Sequence, residues 1–106
     1  MRLLSLLLST VLLGAPITYS ELPAGRYSVK VSGMLTTTCS RAIEREMAKL
    51  PQVEAVSVDF DAESMQVTVR LDHTLAVSTL RRALHRAAKK VQLGADYVPG
   101  AISYLP

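Results

Sequence analysis

Cys39 is the only cysteine in this 106-residue chain. A thiolate can serve as a nucleophile, as half of a disulfide or as a ligand for a soft metal ion, and its neighbours decide which of these is open. No Cys-x-x-Cys pair offers dithiol exchange, and no histidine adjoins Cys39 in sequence to act as its base. Redox and acyl-transfer enzymology therefore have no footing, and nothing within one chain can form a disulfide with it. Met34 and Met65 are further soft donors, and both read first as packing residues. His73 and His85 read as surface histidines, His73 in a loop far from the cysteine and His85 on a charged helix face. The cations Arg81, Arg82, Arg86, Lys89 and Lys90 read as a solvated helix face, with a docking patch for an acidic partner or an anionic membrane surface as the alternative. No aromatic residues interleave with them, which argues against nucleic acid.

The cysteine must be positioned by a small domain. Residues 1–20 read as a secretory signal peptide: Met1 and Arg2 precede an apolar run, Leu3 to Leu13, that is too short to span a bilayer comfortably. The small residues Thr18 and Ser20 place cleavage before Glu21. The expectation is an exported, periplasmic protein in an oxidising compartment, with membrane contact at most peripheral once the leader is gone. Removing residues 1–20 takes away one of twelve cations and none of the nine carboxylates, so the formal charge falls from +3 to +2. That near-neutral balance excludes a strong polyanion binder.

Residues 21–106 read as one domain made of two strand-helix units. Tyr27, Val29 and Val31 alternate with polar residues, as do Val56, Val58 and Phe60, then Met65, Val67, Val69 and Leu71, with turn chemistry from Asp61 to Ser64. The spacing of Ile43, Met47 and Leu50 predicts an amphipathic helix over Cys39 to Leu50, with Glu44, Arg45, Glu46 and Lys49 on its other faces and Pro51 ending it. Leu80, Leu84, Ala87 and Val91 mark a second helix, with Ser78 as its cap and Gly94 as its stop. A last strand is expected over Ala101 to Leu105. Right-handed crossovers then give a ferredoxin-like βαββαβ α/β (α+β) sandwich, a four-stranded antiparallel sheet with both helices on one face. In that topology the loop after the first strand, the hairpin turn and the loop after the second helix share one end of the sheet.

The stretch Gly33-Met34-Leu35-Thr36-Thr37-Thr38-Cys39, together with this chain order, resembles the heavy-metal-associated domain family, which includes periplasmic mercury-binding proteins and copper chaperones. The family carries Gly-Met-Thr-Cys-x-x-Cys at this junction. Alignment on Gly33 and Met34 puts Cys39 on the second cysteine and Thr36 on the first, and Tyr97 falls where many bacterial members have a tyrosine beside the metal loop. The resemblance implies a carrier rather than an enzyme, with a soft ion, Cu(I) or Hg(II), held by Cys39 and with Met34, Thr36 and Tyr97 as its neighbours.

A threonine hydroxyl stays protonated at neutral pH and is a hard, weak donor, so it does not replace the missing thiolate. A second ligand would come from another chain, either a metal transporter, another thiol-bearing metal-binding protein, or a second copy bridged through Cys39. With Thr36 as N-cap, Cys39 falls in the first turn of the helix, where free amides and the helix dipole favour its thiolate, and the expectation is a loop-exposed sulfur. The competing reading is a degenerate, metal-free module of the same fold, an accessory subunit of an envelope metal transport system.

Overall fold

In a computed structural model of the chain, which describes residues 20–91 and 96–106, the elements run β1 (Glu21–Ser32), α1 (Thr37–Ala48), β2 (Val53–Asp59), β3 (Ser64–Ala76), α2 (Val77–Val91) and β4 (Val98–Leu105). The strands form one sheet in the order β2-β3-β1-β4, with antiparallel neighbours throughout. This is the ferredoxin-like arrangement expected. All but residue 20 of the expected leader, and the expected stop at Gly94, lie outside the described residues.

One face of the sheet carries the core. Tyr27, Val29 and Val31 of β1 alternate inward with Met65, Val67 and Val69 of β3. Ile43, Met47, Leu80, Leu84 and Ala87 cover them from α1 and α2. Each fully buried branched side chain contributes about 1.5–3 kcal/mol, so this face fixes the register of the sheet.

Several boundaries differ from the periodic reading, each for a tertiary reason. β1 begins at Glu21 rather than near Tyr27, because Leu22 pairs with Leu75 and both are fully buried. Pro23 and Gly25 had hidden that pairing by breaking the alternation. β2 starts at Val53 rather than Val56. A register shift between Val53 and Ala55 lets Val53 and Val56 face the same side although they are three apart. β3 runs on to Ala76, so His73 lies within a strand and not in a loop. Between the pairs Pro23↔Thr74 and Gly25↔Val69, the segment from Arg70 to His73 bulges out, and Asp72 takes the left-handed φ of 63°. The bulge leaves Leu71 82% exposed, contrary to its place in the alternating set. α2 starts at Val77, whose amide donates to the Ser20 carbonyl, so Ser78 sits inside the helix and is not its cap. α1 begins at Thr37 and β4 at Val98, each earlier than expected.

Candidate functional site

The end of the sheet that holds Cys39 is assembled from three connections. The Val31 amide donates to the Glu63 carbonyl in the β2–β3 turn at 2.9 Å. Gly33 has a φ of 100° and lies so close to the Asp96 carbonyl that a Cβ would collide with it. Only glycine accepts both conditions, so the loop leaving β1 is pinned against the segment that follows α2. The Ser32 hydroxyl donates to the Val98 carbonyl at 3.3 Å and fastens the same pair of segments from the other side.

Thr36 is the N-cap of α1 in extended conformation, with φ −147° and ψ 169°. Its side chain makes no capping hydrogen bond. Instead its Oγ1 lies 3.8 Å from Cys39 Sγ. The Cys39 amide donates to the Thr36 carbonyl at 3.0 Å, closing the first turn and setting the sulfur over the helix start. Tyr97, 3% exposed, reaches the same sulfur with its hydroxyl.

The sulfur is not loop-exposed, as the sequence suggested: Cys39 is 0% exposed and joins the core cluster. The backbone at Leu35 and Thr36 and the Tyr97 hydroxyl, brought in from beyond α2, interact with it. Yet its surroundings are not purely aliphatic. Burial by itself pushes the thiol pKa up, but the Tyr97 hydroxyl, the backbone at Leu35 and Thr36 and the Thr36 hydroxyl together outweigh it, and the pKa falls below the ordinary thiol value. Tyr97 shifts the opposite way. Burial first, and then its hydrogen bond to Cys39, hold the phenol protonated well above its usual pKa. Tyr97 therefore acts as the donor and the sulfur as the acceptor.

Met34 is half-buried and packs against the core, and the Ser40 hydroxyl donates to its Sδ at 3.9 Å. Met65 is buried in β3. His85 lies on the exposed side of α2 and its Nδ1 meets Asp96 Oδ1 at 3.2 Å, while the Tyr97 amide donates to the same oxygen at 3.0 Å. His73 Nδ1 lies 3.0 Å from the Leu71 carbonyl in the distant bulge. Of the sequence-predicted residues, the fold thus brings Cys39, Thr36 and Tyr97 to one sulfur, with Met34 engaged by Ser40 alongside.

Sequence reasoning missed Glu46. Its charge and spacing predict an outer face of the first helix, but it is 2% exposed, and Lys49, Lys90 and Arg86 meet its carboxylate at 2.8, 2.6 and 3.3 Å. Hydrogen bonds from Lys49 and Lys90 lower its pKa to about 2, against the opposing effect of burial. The available signal was its position three residues after Ile43, on the flank of the buried stripe.

The family model for the heavy-metal-associated domain matches residues 28–90, more than half of the sequence, and the chain belongs to the heavy-metal-associated domain family. The matched span includes Cys39 and stops before Tyr97. Among solved structures, the chain is similar to the N-terminal domain of ZntA in the apo-form, at 30% identity and a TM-score of 0.53 over 73% of this chain and 93% of that one. It is similar to the N-terminal domain of PacS from Synechocystis, at 26% identity and a TM-score of 0.52 over 73% of this chain and 98% of that one. The metallochaperone CopZ shares the fold, at 23% identity and a TM-score of 0.54 over 70% of this chain and 100% of that one. No curated protein matches the sequence.

Proposed function

We propose that this protein is an exported metal carrier that takes a soft ion, Cu(I) or Hg(II), on the Cys39 thiolate and completes its coordination with a ligand from a partner chain. The observation that carries this reading is the place of the Cys39 sulfur in the first turn of α1, 3.8 Å from the Thr36 hydroxyl, among donors that hold its pKa below the ordinary thiol value. Such donors stabilise the thiolate, which is the form that binds metal. The relatives support the class of partner, since a metallochaperone and the N-terminal domain of a potential copper-translocating P-type ATPase share this architecture. The partner is then a metal transporter or another thiol-bearing metal-binding protein, with a second copy as the homotypic case. No step of catalysis is involved: the ion moves by ligand exchange from one thiolate to the next.

Burial sets a condition on this exchange. The sulfur is buried, so the site must open before an ion or a partner reaches Cys39, and a bridge or a disulfide between two copies needs the same opening. Cleavage of the leader after Ser20 would keep Glu21, which opens β1, and the buried Leu22, and would remove the Ser20 carbonyl to which the Val77 amide donates. The expected compartment is the periplasm.

The 0% exposure of Cys39 favours a second reading, a metal-free interaction module that keeps the cysteine as a core residue. Native mass spectrometry of the reduced protein with Cu(I) and with Hg(II) separates the two. The carrier reading expects one ion per two chains, or one per chain plus an added thiol ligand, and loss of both species in Cys39→Ser. Equal metal retention by Cys39→Ser in competition with a soft chelator would remove the carrier reading.

A further inference from the structure

The two edges of the sheet are guarded unequally. β2 and β4 are its outer strands. An edge strand turns alternate backbone donors and acceptors outward, and charged side chains or capping contacts keep other strands from pairing with them. β2 has both devices: Glu54 and Asp59 lie on it, and the Glu44 carboxylate of α1 accepts from its Val58 amide at 2.9 Å. β4 carries no charged residue in its eight positions.

A register shift between the pairs Val31↔Pro99 and Val29↔Ile102 confines the regular pairing of β4 with β1 to residues 102–105. On the face covered by the helices, Ile102 lies beside Val29 and Tyr104 beside Tyr27. The Tyr104 ring meets the Tyr27 ring edge to face at a centroid distance of 5.6 Å and packs against Gly25, yet it is 57% exposed. A tyrosine held in place with much of its surface in water is a preformed contact for a partner.

We propose that β4 pairs with β4 of a second copy, antiparallel about a two-fold axis at Ser103, so that two sheets become one. A two-fold interface is self-complementary, and a charged edge strand would risk setting like charges against one another. β4 has none to oppose. Pairing about Ser103 places Tyr104 of each copy opposite Ile102 of the other, and Leu105 opposite Ala101, so every cross-strand pair away from the axis is apolar. The antiparallel arrangement also sends the two Cys39 ends of the joined sheet in opposite directions. This dimer therefore does not bridge one ion between its own two cysteines, and it forms without metal.

Sedimentation velocity of the reduced full chain over a concentration series reads the association, and amide chemical shifts locate it. A short strand pairing buries less than a standard interface, so the expected result is a reversible monomer–dimer equilibrium with concentration-dependent shifts centred on Ile102, Ser103 and Tyr104. Ser57, Gln66, Ser28 and Ser103 form one row across the sheet, which makes Ser57 and Ser103 matched, exposed positions on its two edges. Ser103→Lys sets two like charges at the axis and should raise the dimer Kd about ten-fold or more, whereas Ser57→Lys, the same change on the guarded edge, should alter it less than about two-fold. Mixing Ser103→Lys with Ser103→Glu should restore a dimer, which also shows that the lysine variant still folds. Cys39→Ser should dimerise as the parent does, so this result and the metal reading can fail separately. A parent that stays monomeric up to about 1 mM, equal weakening in Ser57→Lys and Ser103→Lys, or no dimer in the mixture would overturn the proposal.

Discussion

Replacing Tyr97 by Phe removes one hydroxyl and leaves the buried ring. That hydroxyl donates to the sulfur, and it is the largest of the influences that lower the thiol pKa against burial. A hydrogen bond to a charged group contributes about 1.5–3 kcal/mol. Its loss should therefore raise the Cys39 pKa and lower the share of thiolate at a given pH. The change is read from the ultraviolet absorbance of the thiolate and from the alkylation rate, both as functions of pH. The linkage has a definite sign. Because the folded thiol titrates below the ordinary thiol value of 9.0, it adds stability that is fully present above that value and lost as pH falls through the folded pKa. Melting temperature should therefore rise with pH through this window in the parent, and Tyr97→Phe should flatten the rise. Above the ordinary tyrosine value of 10.0 the parent should lose stability again, because Tyr97 resists ionisation only when folded. A thiol midpoint that stays in place, or moves down, in Tyr97→Phe would refute the claim that this hydroxyl tunes the sulfur.

Three other expectations follow from particular contacts. Glu46→Gln should cost about 1–3 kcal/mol, discounted because its partners are about half exposed. It should also remove the loss of stability that the parent shows as pH falls from 4.5 through about 2, as followed by circular dichroism. Thr36→Cys places a second sulfur near the position from which the threonine oxygen now lies 3.8 Å from Sγ. It should convert bridged binding into one ion per chain, with affinity for Cu(I) raised about 100-fold or more in a chelator competition. Unchanged affinity would show that the loop cannot present two sulfurs to one ion. Gly33→Ala must accept a positive φ and a collision with the Asp96 carbonyl, so it should lower stability by at least about 1–3 kcal/mol in a thermal melt. An unchanged melt would mean that the junction between the β1 loop and the α2 exit is not tightly held.

The sequence exposed most of the architecture because alternation and helical spacing are properties of neighbouring residues. Tyr27, Val29 and Val31 face inward by strand geometry alone, and Ile43 and Met47 share a helix face by their spacing. The extension of β1 back to Glu21 was not legible, since Leu22 is recognisable as a strand residue only through its partner Leu75. The β2 start failed for a related reason, because the register shift near Val53 interrupts the period on which the reading depended.

At the site, the sequence by itself determined that a lone thiol stands at a strand-to-helix junction with a threonine where a second thiol would pair, and local order was enough to put Cys39 in the first turn of α1. Whether that sulfur faces water was decided only in three dimensions. Tyr97 comes from beyond α2, and Gly33 is pressed against Asp96, so the surroundings of Cys39 are assembled from residues far apart in the chain. Glu46 shows the same division: its charge predicts exposure, and only the arrival of Arg86 and Lys90 on the neighbouring helix allows burial. Propensity and periodicity are short-range, whereas desolvation and its compensation depend on which distant groups the fold packs over a given atom.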